Sequence, residues 1–338
     1  MHALRFPEMG GFHGPQSRGA PERARRMSDD LGPQQTHHPF VLGIVGDSGS
    51  GKSTVAEGVA ALIGPDRVST LELDDYHRHT RAERQELGLT ALHPTVHNFP
   101  LMQEHLQLLG RGRPVRNRRY DHTDGTFGAA RTVEPNEVVL VRGLLGFPSD
   151  ELRAAYDLAV FLQPEPELLF RWKLRRDVKT RGYTEAEVLK RIAGHLLDSK
   201  EYVLPQAGRA DLVVRYEIPE WDAPDSAVSA ALTLRRGAAE AVRGNGIMHR
   251  FGEHVGFRED GDALVVTVDA TLPQALVDAW AQERFGDTFR PEALGRFMDE
   301  EGNDSRLVPL AFSQVLIADL TQKLRRIAGA AHELAGVV

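Results

Sequence analysis

The chain has 338 residues, 41% of them hydrophobic and 26% charged, with a net charge of −7 and no cysteine. Disulfides, thiolate chemistry, cysteine-ligated metal and dithiol redox switching are therefore excluded within this chain. The acidic balance argues against broad affinity for nucleic acid or membrane surfaces, and no apolar run approaches the ~18–20 residues that span a bilayer. A cytoplasmic globular protein is expected, large enough for one α/β domain or a domain with an appended lobe.

Residues 1–38 carry Gly, Pro, His, Gln and Arg in no periodic order, without the apolar segment of a secretory signal. Glu8, Glu22, Asp29 and Asp30 are out of place in a transit peptide. A disordered tail is expected, with Met27 a candidate start. Ordered structure begins at FVLGIVG (40–46), whose branched apolar run predicts a buried strand. A glycine-rich turn follows, then a helix from about Ser53 to Ile63. RVSTLEL (67–73) reads as a second strand. NFPLMQEHLQLLG (98–110) reads as a helix with Asn98 as N-cap, Pro100 in its first turn and Gly110 past its end. Strands EVVLV (137–141), DLAVFLQ (157–163) and DLVVRYEI (211–218) complete the set, with a long helical region over about 165–201.

Strands alternating with helices imply a parallel sheet with helices on both faces. The expectation is an α/β P-loop NTPase domain over 39–218, of the nucleoside/nucleotide kinase type. Beyond Ile218 the pattern changes. Residues 219–260 are mixed, DALVVTVDA (262–270) is a strand, and helices are expected near 273–284, 290–299 and 308–327. Residues 219–338 therefore read as a C-terminal strand-plus-helix extension packed on the kinase domain.

Residues 46–53, GDSGSGKS, match G-x-x-x-x-G-K-[ST] in full, between a buried strand and an amphipathic helix. Gly46, Gly49 and Gly51 let the backbone curl so that the N–H groups of the loop Asp47–Ser48–Gly49–Ser50–Gly51 point at phosphate oxygens. The helix start adds its positive dipole end, with Thr54 in its first turn. Lys52 would neutralise the β- and γ-phosphates, and the Ser53 hydroxyl would ligate Mg²⁺. The cofactors expected are therefore ATP and Mg²⁺.

LELDDYHRHTR (71–81) places Asp74 and Asp75 at the carboxyl end of the second strand, where ligands sit in open α/β sheets. Phosphoryl transfer to an alcohol needs a carboxylate to orient and deprotonate the hydroxyl, and Asp74 is the candidate. His77 and Arg81, on the loop that follows, could bind an anionic acceptor; a capped, solvated loop with Asp75 as N-cap would use the same residues. RGRPVRNRRYDH (111–122) puts Arg111, Arg113, Arg116, Arg118 and Arg119 ahead of Tyr120 and His122. Five arginines in nine residues suit a phosphorylated substrate and are wasted on a neutral nucleoside, although solvated surface is the commoner fate of such runs. In RWKLRRDVKTRG (171–182), Lys173, Arg176, Asp177 and Arg181 share one helical face. They read either as an ion-pair stripe or as a lid that closes over the polyphosphate.

Taken together, GDSGSGKST, LDDYHRHTRAERQELGLTALHPTVHNFPLM, RYDHTDG, VVLVRGLLGF and WKLRRDVKTRGYT resemble the phosphoribulokinase/uridine kinase family. They are closest to its plant- and cyanobacterial-type phosphoribulokinase branch. The resemblance is dense over 40–218 and weaker beyond, where PLAFSQVLIADL (309–320) is similar to a C-terminal helix of bacterial phosphoribulokinase-like proteins. It implies ATP-dependent phosphorylation of ribulose 5-phosphate to ribulose 1,5-bisphosphate, and a homodimer. It also implies Asp74 as catalytic base and His77 and Arg81 as sugar-phosphate contacts. Lys173 and Arg176 would stabilise the transferring phosphoryl group, Asp177 would be a catalytic and metal-binding carboxylate, and Arg181 a lid arginine.

Three positions depart from the family pattern. Arg142 stands where a glutamate usually ends the third strand, Pro100 stands in NFP for the usual NFD, and Ser50 replaces a regulatory cysteine. A cation beside Mg²⁺ is unfavourable by several kcal/mol, roughly, even at an effective dielectric near 20. Arg142 is expected either to pair with Asp74 or Asp177, or to turn away while Asp177 and water complete the Mg²⁺ shell. Competing readings are a uridine/cytidine kinase, and an ATP-binding regulatory homologue with weakened turnover.

Overall fold

The computed structural model describes residues 38–243, 247–299 and 301–335. The tail expected over 1–38 lies, His38 apart, outside the described residues. The first half of the chain runs β1 (Phe40–Gly46), α1 (Lys52–Ile63), β2 (Val68–Glu72), α2 (Arg81–Glu86), α3 (Phe99–Gly110), β3 (Val115–Tyr120), β4 (Phe127–Val133), β5 (Val138–Gly143), α4 (Asp150–Arg153) and β6 (Leu158–Leu162). Next come α5 (Pro166–Lys179), α6 (Glu185–Asp198), β7 (Leu212–Glu217), β8 (Ser229–Leu234), α7 (Arg236–Arg243), β9 (Val255–Asp260) and β10 (Ala263–Val268). The chain ends with α8 (Gln274–Phe285), β11 (Arg296–Met298), β12 (Asp304–Arg306) and α9 (Val308–Ala335).

Eight strands form one sheet in the order β2-β5-β1-β6-β7-β8-β10-β9. The five strands from β2 to β7 are parallel, and β8, β10 and β9 continue the sheet antiparallel. The central strands β1 and β6 are apolar throughout because both faces are covered, while β2, β5 and β7 carry polar or charged residues. On β1, Phe40, Leu42 and Ile44 enter one core with α1, α8 and α9, while Val41 and Val45 enter the opposite core with α3. The alternation is the period-2 geometry of a strand, repeated on β5 and β6. The chain passes from β1 to β2 on one side of the sheet and reaches β6 on the other. A crevice therefore opens at the carboxyl end of β1, the switch point where ligands bind in such sheets.

Several expectations need correction. The helical region over 165–201 is two helices, because Thr184 and Glu187 form a reciprocal capping box that starts α6 afresh. No helix forms over 290–299. Pro291 opens a single 3-10 turn, and Gly295 then turns the chain into β11, its carbonyl accepting from Leu307 N–H. Asn98 caps α3 as expected, its side chain accepting from Leu101 N–H, but Gly110 is the last helical residue rather than the one after it. The arginine-rich segment near 115–120 is one strand of a two-stranded ribbon, and 219–260 holds β8, α7 and β9.

Candidate active site

Between β1 and α1 the chain makes the tight loop that the glycines allow. Gly49 and Gly51 have φ of +93° and +90°, a left-handed backbone that side chains resist. A Cβ on Gly49 would also lie 2.9 Å from the Cβ of Lys173, so α5 rests directly on the loop. The Lys52 ammonium donates to the Asp47 carbonyl at 2.5 Å. Burial lowers its pKa to about 8, against the opposing pull of Asp47 and Asp74. The Asp47 carboxylate accepts from Ser48 N–H at 2.5 Å and from the Ser199 hydroxyl, which ties the loop to the segment after α6. Ser53 is exposed at the start of α1. The Ser50 hydroxyl is fully buried and has no hydrogen-bond partner among the described residues.

At the end of β2 a 3-10 turn, Leu73–Tyr76, carries the two aspartates, and they divide the work. The Asp75 carboxylate accepts from Tyr120 N–H at 2.7 Å, and its carbonyl accepts from Asn117 Nδ2 at 3.1 Å. Asp75 thus clamps the β3–β4 ribbon to the sheet instead of capping a helix. The ribbon is stiffened by Arg118 lying 3.5 Å over the Phe127 ring and donating to the His77 carbonyl at 2.7 Å. Arg84 donates to Tyr120 Oη at 2.7 Å and to the His79 carbonyl at 2.8 Å.

This clamp delivers His122 to Asp74, with Nε2 3.2 Å from Oδ2, while His77 Nε2 stands 3.6 Å from Oδ1. Burial would raise the Asp74 pKa. The hydrogen bond from His122, joined at low pH by the charge of protonated His77 and His97, outweighs it and holds the carboxyl well below the usual carboxylate range. Burial also lowers His77 to about 3 and His97 to about 4, so both are neutral at pH 7 beside an ionised Asp74. His77 is only 2% exposed and packs against His97 and Tyr120. Arg81 donates to the carbonyls of His122, at 2.5 Å, and Thr123, at 3.4 Å.

On α5, Arg176 reaches the Ser48 hydroxyl at 3.1 Å. Asp177 is buried, with Arg176 at 2.8 Å and Arg181 at 3.3 Å. Lys173 is buried with its ammonium 3.5 Å from His195 Nδ1, and burial lowers its pKa. A cavity of about 640 Å³ gathers Lys52, Ser53, Asp74, His77, Arg81, Arg119, Tyr120, His122, Arg176 and Arg181 on one wall system. Lys173 and Asp177 are buried outside that lining.

The sequence model of the Phosphoribulokinase / Uridine kinase family matches residues 41–221. The chain belongs to that family. A phosphoribulokinase from Synechocystis sp. is 35% identical over 181 residues, covering 54% of this chain and 54% of that protein. A uridine kinase from Deinococcus deserti is 33% identical over 180 residues, covering 52% of this chain and 87% of that one. The chain spans about half the length of the phosphoribulokinases it matches. A solved phosphoribulokinase from Rhodobacter spheroides shares the fold, with a TM-score of 0.54 at 18% identity, over 69% of this chain and 91% of that one.

Arg142, the position where this chain departs from the family, neither pairs with Asp74 or Asp177 nor turns away. Its Nε donates to Glu72 Oε1 at 2.6 Å, and Glu57 lies 3.9 Å from its other end. Parallel pairing of β2 with β5 sets Glu72 opposite Arg142, and both line the cavity. Burial raises the Glu72 pKa, the Arg142 charge and hydrogen bond pull it down, and the nearby Asp74 and Asp75 push it up. A carboxylate is therefore present at the sheet edge, one strand over from Arg142. Mg²⁺ bound with a nucleotide takes one or two protein oxygens plus phosphate and water. Ser53 with Asp74 fits that need, whereas Glu72 is engaged by Arg142 and Asp177 by two guanidinium groups.

Glu72, Arg84 and His195 were not legible as site residues. Glu72 ends an ordinary strand pattern, and only the strand order places it beside Arg142. Asp75, by contrast, sits in the quoted motif with a structural task that the motif does not reveal.

Proposed function

We propose that this protein is an ATP-dependent kinase that phosphorylates a hydroxyl of a sugar phosphate, with ribulose 5-phosphate the first candidate and ribulose 1,5-bisphosphate the product. One observation carries the reading. An ionised Asp74 shares a cavity with Lys52 and Ser53, and Arg81, Arg119 and His122 line the same cavity beside it. Such a site offers a base for the hydroxyl, a cradle for the triphosphate, and cations for a second phosphate on the acceptor.

In this reading the acceptor oxygen attacks the γ-phosphorus, the bond to the β-bridging oxygen breaks, and ADP leaves. The hydroxyl proton passes to Asp74. A carboxylate is suited to take that proton late in a loose transition state, when the new P–O bond has acidified the hydroxyl. Lys52 and Arg176 offset the charge on the phosphoryl oxygens, Arg181 closes from the turn after α5, and Arg81, Arg119, Tyr120 and His122 hold the acceptor. Mg²⁺ at Ser53 would supply further charge neutralisation. Asp177 joins the reaction only if Arg176 and Arg181 turn to the phosphates and release it.

A nucleoside acceptor is the second reading, favoured by the match to a uridine kinase over most of that enzyme's length. The cationic acceptor wall argues against it, because a nucleoside has no charge to meet those arginines. Arg142 pairs with Glu72 and still lines the cavity where the family has a glutamate, which is the observation favouring the weakened-homologue reading; Asp74 and Lys52 in the same cavity weigh against it. The homodimer implied by the family stands as part of the proposal. Purified protein with ATP and Mg²⁺ is offered ribulose 5-phosphate, uridine and cytidine, and ADP release is followed. Turnover with ribulose 5-phosphate is expected. Turnover only with a nucleoside would replace the acceptor, and ATP binding without turnover on any sugar phosphate would point to a regulatory protein.

A further inference from the structure

The cavity lining is of two unlike kinds. Charged groups gather around Asp74, while an apolar end, beside Thr54 through Gln314, is made by Trp172 on α5, Tyr216 on β7, Phe297 and Met298 on β11, and Leu307 and Leu310 at the start of α9. Four of these six side chains come from the C-terminal extension, beyond the residues that match the family. The apolar end is built firmly. Arg175 on α5 donates to the Met298 carbonyl at 2.7 Å, and Gln314 on α9 donates to the Thr54 carbonyl at 2.8 Å. Gln314 Oε1 also accepts from Gly295 N–H at 2.8 Å, which fixes the turn that leads into β11.

We infer that residues 296–310 form the wall against which the nucleobase of the phosphoryl donor packs, so that the extension is part of the nucleotide site. This deepens the ATP reading of the phosphate loop and rests on it. The direction of the triphosphate decides the placement. Its terminal phosphate has to face Asp74, so its nucleoside leaves the loop the opposite way, past Thr54 and Val55, into the apolar end. A nucleobase has apolar faces and a polar edge. Walls of Trp, Tyr, Phe, Met and Leu suit the faces. Trp172 Nε1 suits the edge: it is buried without a hydrogen-bond partner among the described residues, and the base ring nitrogens are acceptors. The Trp172 and Tyr216 rings already stand edge to face, 5.7 Å apart, so this part of the wall is preformed.

The test compares ATP with inorganic tripolyphosphate, which fills the phosphate loop and has no base. In calorimetric titrations the double variant Phe297→Ala with Met298→Ala should bind ATP about tenfold more weakly, ~1.4 kcal/mol, with tripolyphosphate affinity unchanged. Both side chains are partly exposed, so the fold should tolerate their loss. Unchanged ATP affinity overturns the inference. Lys52→Ala should weaken both ligands; if it weakens neither, the triphosphate reading itself fails, and the two failures are distinct. A second readout does not depend on truncation. ADP should change the tryptophan fluorescence of the wild-type protein, and the change should vanish in Trp172→Phe. Its persistence with Trp221 and Trp280 alone would place the base elsewhere.

Discussion

The two ends of the cleft differ in charge and in how their residues are recruited. The acceptor end is assembled from a loop and a ribbon, held together by Asp75 and by arginines spent on backbone carbonyls. The apolar end is assembled from the middle of α5, the end of β7, β11 and the start of α9, held by packing and by Arg175 and Gln314. Charged groups gain most where water is scarce and partners are fixed, so the acceptor end needs many hydrogen bonds simply to keep Asp74 and its histidines in place. The apolar end needs shape alone. Of the arginines that made this region conspicuous in the sequence, Arg118 is a structural tie to the His77 carbonyl, while Arg81 and Arg119 line the cavity.

The comparison breaks most sharply at Asp74. Asp74→Asn should lower turnover by about 10²–10⁴-fold, while ATP affinity stays nearly unchanged, because the substitution touches the acceptor end only. Equal turnover in the variant would remove Asp74 from the mechanism, and a matching loss of ATP affinity would show that the two ends are not separate.

A smaller effect is expected from the pair at the sheet edge. Arg142→Glu leaves Glu72 unpaired beside a second carboxylate and should destabilise the protein by about 1–3 kcal/mol, with a parallel drop in activity. Exchanging the two, Glu72→Arg with Arg142→Glu, should restore most of both in a double-mutant cycle of thermal unfolding and turnover. A rise in activity from Arg142→Glu alone would mean that the arginine is a defect at this site.

The smallest effect belongs to the group both ends share. Lys52 in the free protein has a pKa lowered to about 8, and a bound triphosphate stabilises its charged form. The bound state therefore holds more protons, and affinity falls as pH rises through about 8. The expected loss is about tenfold between pH 7 and 9. Titrations of tripolyphosphate in buffers of different ionisation enthalpy should show proton uptake at pH 8.5. A flat profile would mean that Lys52 stays charged without its ligand.

The phosphate loop, the five parallel strands and the position of Asp74 follow from local pattern. Apolar runs of strand length, glycines at a turn and a carboxylate just past a strand end are written in consecutive residues. The helix expected at 290–299 failed for a related reason. Its composition suits a helix, but the segment is turned into β11 by contacts with Leu307 and Gln314.

Tertiary structure alone decided the partner of Arg142, the task of Asp75 and the walls of the apolar end. Glu72 and Arg142 are separated by 70 residues, and Trp172 and Met298 by more than a hundred. Which side chains meet across such distances depends on strand order, register and where a distant helix begins. Periodicity and turn chemistry report the conformation of a segment, whereas a charge pair or a cavity wall is a property of two segments brought together by the burial of both.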